Sequence, residues 1–198
     1  MNTIREINNF FGDMDLFLMD YILKGKIPET AKVLDAGCGE GRNAIFFVQK
    51  GYDFLGIDSD ESKIRLAQYM SNNISTSKAV FRTGDIHHLK ENAFDLIICS
   101  RVLHFAQSEE DFFAMWRVLS RHLSKGGLIY LSMDSVIENT MGVLKENGKY
   151  EFQDGAIHFS LTEEIYNEIK KGFEEIEPLK TLVQNKVRAQ SFVLLRKV

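Results

Sequence analysis

From Lys32 onward, short runs of consecutive apolar residues alternate with stretches in which apolar residues recur every three or four positions. The runs are Val33 to Ala36, Phe54 to Ile57, Ala79 to Arg82, Phe94 to Cys99 and Leu128 to Met133; the amphipathic stretches are Asn43 to Lys50, Ser62 to Met70 and Glu110 to His122. Strand-length runs separated by helix-length periodic segments predict βαβ units and a mainly parallel sheet. The runs Leu96-Ile97-Ile98-Cys99 and Leu128-Ile129-Tyr130-Leu131 lack polar alternation, as strands do when helices cover both faces of the sheet. Ahead of this core, Met1 to Gly25 reads as one or two helices closed by Gly25 and Pro28. Behind it, Thr162 to Lys171 reads as a helix, and Phe173 to Val183 with Ser191 to Arg196 as two antiparallel strands. Between residues 134 and 160 the periodicity weakens, and the run Gly148 to Phe152 with Asp154-Gly155 predicts a small inserted hairpin.

Composition narrows the class. With 198 residues, no repeat, no low-complexity linker and prolines only at Pro28 and Pro178, one domain is the expectation, made of the helical segment 1–30, a core at 32–133, the insertion at 134–160 and a helix with strands at 161–198. A formal charge of -4, with lysines and arginines scattered among acids, gives no basic stripe for nucleic acid. Met1 to Asn9 carries charge and amide groups where a signal segment has an apolar centre, and no apolar run approaches the ~20 residues that span a bilayer, so a cytoplasmic location is expected. Cys38 and Cys99 are far apart and outside any Cys-x-x-Cys spacing, which argues for two reduced thiols.

The chemistry starts where Val33-Leu34-Asp35-Ala36 runs into Gly37-Cys38-Gly39-Glu40-Gly41 and then a helix. Glycines here allow a tight turn and close approach of a ligand to the backbone. A dinucleotide fingerprint needs a glycine where Arg42 stands, so the spacing disfavours a nicotinamide-dependent oxidoreductase. Asp58 ends the next strand about 20 residues beyond the turn, where a carboxylate can accept hydrogen bonds from a ribose diol. The same Asp58-Ser59-Asp60 run also suits a helix N-cap.

In this order, the glycine turn, Asp58, Thr83-Gly84-Asp85-Ile86, the strand Phe94 to Cys99 with its following loop, and Lys125-Gly126-Gly127 before the next strand resemble the class I S-adenosylmethionine-dependent methyltransferases. Gly41-Arg42-Asn43 and Gly51-Tyr52-Asp53 are further similar to the small tellurite-resistance-like members. The resemblance implies an α/β, Rossmann-like seven-stranded mainly parallel sheet, helices on both faces and an antiparallel C-terminal strand pair. It also implies S-adenosyl-L-methionine as cofactor, with Asp35, Gly37, Cys38, Gly39, Gly41, Arg42, Asp58, Ser59, Asp85, Ile86 and Ser100 around it. In that assignment Asp85 meets the adenine amino group and the Ile86 amide the ring.

On the acceptor side, the resemblance places Arg101 and His104 after the fourth strand, and Arg188 lies between the last two strands. Histidine there can act as a general base, and the arginines can steady negative charge. The loop Cys99-Ser100-Arg101-Val102 lacks Asn/Asp-Pro-Pro-Tyr, and neither proline precedes a cysteine, so a small-molecule acceptor is favoured over adenine, glutamine or cytosine. A binding module without catalysis remains the alternative. Adjacent His87-His88 point apart on regular backbone and have no carboxylate at ligand spacing, so no metal site is expected. Phe10, Phe11, Phe17 and Tyr21 suit either the core or a lid over the cofactor.

Overall fold

A computed structural model describes residues 4–72, 79–90, 93–137 and 142–198, with side chains from Asn8 onward. The chain divides into two compact units, Met1–Ile98 and Cys99–Val198.

In the first unit, α1 (Ile4–Phe11) and α2 (Leu16–Leu23) precede β1 (Lys32–Ala36), α3 (Ala44–Gln49), β2 (Asp53–Asp58), α4 (Glu61–Asn72), β3 (Val80–Thr83) and the start of β4 (Phe94–Ser100). The strand order is β3-β2-β1-β4, with parallel pairing of β1 to β2 and β4 and of β2 to β3. Leu96, Ile97 and Ile98 are consecutive and fully buried, which requires cover on both faces of β4, as the unbroken apolar run predicts. Phe47 and Phe54 stack at 5.9 Å in the core beneath α3. Of the four N-terminal aromatics Tyr21 is in the core, fully buried, while Phe10, Phe11 and Phe17 are half-buried, the first two with their rings 5.4 and 5.6 Å from that of Phe46. The side chains of Ile4 and Ile7, part of the predicted helical pattern, lie outside the described residues.

In the second unit, α5 (Glu109–His122) leads into β5 (Leu123–Asp134). Ser108 caps α5 by accepting from the Asp111 amide at 3.2 Å, and acids at 109–111 sit in its first turn, where negative charge opposes the helix dipole. Phe112, Met115, Trp116 and Leu119 form its buried stripe. Beyond β5, three short strands, β6 (Val143–Leu144), β7 (Lys149–Glu151) and β8 (Ile157–Phe159), form a separate antiparallel sheet. The predicted hairpin is therefore present as β7 and β8, with β6 added by pairing too short to leave a periodic signal. Then come α6 (Glu163–Ile169), β9 (Phe173–Gln184) and β10 (Arg188–Lys197). Strands β10 and β9 pair antiparallel, and β10 pairs antiparallel with β5, giving the order β4-β5-β10-β9. The seven strands make the mainly parallel sheet with an antiparallel C-terminal pair that the sequence implies.

The expected entry turn at Lys125-Gly126-Gly127 lies inside β5, which starts at Leu123; Gly126, with φ +76°, precedes the residues of β5 from Leu128 onward that pair with β10. Among the described residues, no helix is long and apolar enough to cross a membrane.

Gly56 in β2 marks the tightest spot in the first unit, because a Cβ there would lie 2.6 Å from the Phe81 ring and 3.0 Å from Cys38 Sγ. Gly56→Ala is expected to destabilise the protein by about 1–3 kcal/mol through overpacking, measured by urea denaturation. An unchanged midpoint would mean that Phe81 repacks freely.

Candidate functional site: a glycine turn clasped by Asp58 and a buried Asp134 cluster

Parallel pairing sets Ala36 opposite Ile57, so the chain leaves β1 beside the end of β2. The amides of Gly37 and Cys38 both donate to the Ile57 carbonyl at 2.8 Å, which anchors the turn. Gly37, Gly39 and Gly41 all have positive φ (77°, 55° and 83°), the conformation that favours glycine. Asp58 then clasps the turn: Oδ2 accepts from the Gly39 amide at 2.8 Å and Oδ1 from the Asp60 amide at 2.9 Å. Asp58 thus combines both of its expected roles, since it organises the corner ahead of α4 while each carboxylate oxygen keeps a further lone pair. The Gly84 amide donates to the Asp58 carbonyl at 2.9 Å, bringing the loop that holds Asp85 and Ile86 to the same end of β2.

Space and unmet polarity make this turn a candidate ligand cradle. A Cβ on Gly39 would meet no heavy atom within 4 Å. Asp35 is 1% exposed, and neither carboxylate oxygen has a hydrogen-bond partner. Burial raises its pKa from 3.8 to about 7, against the lowering effect of Arg42 and with a smaller push from Asp58. Arg42 is exposed and reaches towards Asp15 at 4.0 Å. Cys38 is buried, and burial, with Asp35 next, pushes its thiol strongly upward, so it packs as a neutral side chain. Asp85 caps a short 3-10 turn by accepting from the His87 amide at 2.9 Å and contacts the His87 ring at 2.8 Å; Ile86 is buried and Ser59 exposed. Ser100, in the second unit, hydrogen-bonds to Ser132 at 3.0 Å.

The second unit brings His104 and Arg188 together on a residue that sequence reasoning missed. Asp134, at the carboxyl end of β5, is fully buried; its Oδ2 lies 3.7 Å from His104 Nδ1, 3.6 Å from Arg188 Nη1 and 2.5 Å from His158 Nδ1. Gln190 Nε2 donates to Oδ1 at 3.3 Å. The His104 and His158 rings stack at 4.5 Å, 13° from parallel. His104 is 2% exposed, and burial foremost holds its pKa down to about 4, with Asp134 pulling the other way. The expectation of His104 as the group that touches an acceptor therefore meets an obstacle, because His158, 21% exposed, is the more open ring. Arg101 is exposed at φ +60°, an uncommon conformation for a residue with a side chain, and its charge helps to depress His104. The only forewarning of Asp134 was an acid at the end of an apolar run, as with Asp58; His158 lies in the weakly patterned insertion, where no signal pointed to it.

Residues 27–190 match the methyltransferase domain family. The chain belongs to that family. A relative from Bacillus subtilis named putative methyltransferase YqeM is 26% identical over 117 residues, covering 57% of this chain and 46% of that protein. The probable S-adenosyl-L-methionine-dependent methyltransferase TehB of Haemophilus influenzae is 33% identical over 94 residues, covering 46% of this chain and 32% of that protein. Matched stretches thus span less than half the length of these two curated relatives. The crystal structure of Burkholderia thailandensis 1,6-didemethyltoxoflavin-N1-methyltransferase, with 1,6-didemethyltoxoflavin and S-adenosylhomocysteine bound, superposes with a TM-score of 0.72 at 18% identity, covering 98% of this chain and 82% of that one. It shares the fold.

In this methyltransferase domain the cradle residues fit S-adenosylmethionine. The orphaned Asp35 carboxylate lacks donors that an ammonium group supplies, and the open face of Gly39 leaves room for a ligand against the backbone. Family membership removes the oxidoreductase alternative.

Asp35 also sets a pH dependence. An unfolded chain releases this proton near 3.8 and the folded protein near 7, so the stability it contributes is full below the lower value and lost as pH rises through the higher one. Asp35→Asn is expected to flatten that decline and to gain about 3–4 kcal/mol over the parent at pH 8, read by urea denaturation across pH 5–8. Parallel curves for parent and variant would show that Asp35 ionises normally.

Proposed function

We propose that this chain transfers the methyl group of S-adenosylmethionine to a small-molecule acceptor such as a thiol, a metalloid oxyanion or a hydroxyl. The observation that carries this reading is the glycine turn clasped by Asp58 beside an orphaned, buried Asp35. When bound, the cofactor supplies a methyl group on a sulfonium leaving group. The acceptor lone pair forms the new bond to the methyl carbon as the carbon–sulfur bond breaks towards sulfur, and the acceptor proton leaves to a base or to water.

The chain's own residues then bind and orient. Asp35, ionised, accepts from the cofactor ammonium; the free lone pairs of Asp58 accept from the ribose hydroxyls; Asp85 and the Ile86 amide take the adenine edge; Gly37, Cys38, Gly39 and Gly41 provide the floor. Arg42, Ser59 and Ser100 complete the proposed set. Positioning accounts for most of the gain in such a displacement, because the leaving group is already activated. On the acceptor side, Arg101 and Arg188 are assigned to steady negative charge. His104 is a positioning residue, stacked beneath the more open His158. A small-molecule acceptor is favoured by the fold relative that holds 1,6-didemethyltoxoflavin and by the missing macromolecule-specific motifs in the loop after β4.

Asp58→Asn is expected to weaken S-adenosylhomocysteine binding by about 1.5–3 kcal/mol, ~10- to 100-fold, since a charged acceptor is replaced by a neutral one. Gly39→Val is expected to abolish binding in a folded protein, because its side chain enters open space at a cost of roughly 1–2 kcal/mol for the left-handed backbone. Calorimetry with both variants tests the cradle, and a radiolabelled-methyl screen across thiols, halides, selenite, tellurite and small phenols tests the transfer. Unchanged affinity in both variants would overturn the cofactor assignment; a full screen without transfer would leave only a binding module.

A further inference from the structure

We infer that His104, Asp134 and His158 form a binding site for a divalent transition-metal cation of the zinc type. The inference stands on the second unit alone and does not depend on the methyl-transfer reading. Three chain segments converge there: the turn after β4 carries His104, the end of β5 carries Asp134 and β8 carries His158. One ligand atom from each lies within 4.8 Å of the others, and Asp134 Oδ2 is 3.7 Å from His104 Nδ1 and 2.5 Å from His158 Nδ1. Asp134 Oδ2 is the shared neighbour of both Nδ1 atoms, and because the rings stack nearly parallel the more exposed His158 ring turns out of the stack when both lone pairs meet one ion.

Two features set this cluster apart from a chance gathering. His104 Nδ1 is buried with no hydrogen-bond partner, and its 3.7 Å separation from Oδ2 is too long for a hydrogen bond. A cation beside Oδ2 would satisfy the His104 nitrogen. Gln190 holds Oδ1, the kind of outer hydrogen bond that orients metal-binding carboxylates, while Oδ2 faces both histidines and Arg188.

Size and chemistry select the ion. Tetrahedral zinc with bonds of about 2.0–2.1 Å places neighbouring ligand atoms roughly 3.3 Å apart. The His104–Asp134 separation already approaches this, and the 2.5 Å hydrogen bond from His158 must open by a few tenths of an ångström to about 1 Å, with that ring carrying its proton on Nε2. Two imidazoles and one carboxylate suit Zn²⁺ or Co²⁺, whereas Mg²⁺ and Ca²⁺ prefer all-oxygen sets. With three protein ligands and a part-exposed His158, a fourth position faces outward for water or a ligand. Arg188 opposes the cation, since Nη1 lies 3.6 Å from Oδ2. Its other nitrogen is drawn to Asp154 at 2.6 Å and its guanidinium lies over the Phe152 ring, so the positive charge is shared away from Asp134 and affinity is lowered without being cancelled.

The test uses the full chain, stripped with chelator and titrated with Zn²⁺ by calorimetry and with Co²⁺ by visible absorption. The parent is expected to bind one equivalent with Kd at or below ~10 µM. Asp134→Asn and His158→Gln are each expected to weaken binding at least ~10-fold, Arg188→Gln to strengthen it several-fold, and His88→Gln, an exposed histidine of the first unit, to leave it unchanged. His158→Gln, at the most exposed ligand, guards against misfolding, and its S-adenosylhomocysteine affinity, measured in parallel, keeps this result separate from the cofactor assignment. No saturable binding by the parent, or binding equal in parent and His158→Gln, overturns the site.

Discussion

The in-register parallel pairing of β1 with β2 is the constraint on which the candidate cofactor cradle depends. It delivers Gly37 and Cys38 to a single carbonyl, that of Ile57, and puts the next side chain, Asp58, within reach of the Gly39 amide. A one-residue slip would point Asp58 to the opposite face and leave the turn's amides without acceptors. The glycines are needed because this route forces positive φ three times in five residues. Packing on β2 is tight at Gly56, where a Cβ would lie 2.6 Å from the Phe81 ring.

Two buried aspartates in the protein illustrate opposite solutions to the cost of burying a carboxylate. Asp35 has no hydrogen-bond donor and answers by holding its proton up to about pH 7. Asp134 is surrounded by His158, Gln190 and Arg188, all of which offer hydrogens or positive charge. The first arrangement suits a group awaiting a cationic partner, and the second a group that organises neighbouring side chains. A carboxylate kept without donors lowers stability at neutral pH, which is the trade-off expected where binding is favoured over folding.

Much of this was legible along the chain. The unbroken apolar runs within β4 and β5 announced strands covered on both faces, and the amphipathic stripe of α5 announced its buried side, because both signals come from local periodicity. The glycine turn and Asp58 were legible for a related reason: a tight turn at a strand end and an acid at the end of the next strand are neighbours in sequence terms, about 20 residues apart. Strand β6 was not, since two residues cannot express a period.

Sequence by itself determined the sheet, the family and the candidate cofactor cradle, whose parts lie in consecutive βα segments and follow from residue type and spacing. Only the tertiary structure decided that His104 is enclosed, that Asp35 is stranded without donors, and that Asp134 gathers His104, His158, Arg188 and Gln190. Those partners come from three separate segments, spread across 87 positions of the chain from His104 to Gln190, and chain closure through β5, β8 and β10 alone brings them within 3.7 Å of the Asp134 carboxylate. Local propensity carries no information about such meetings, because the burial that fixes their chemistry exists only once distant strands have paired.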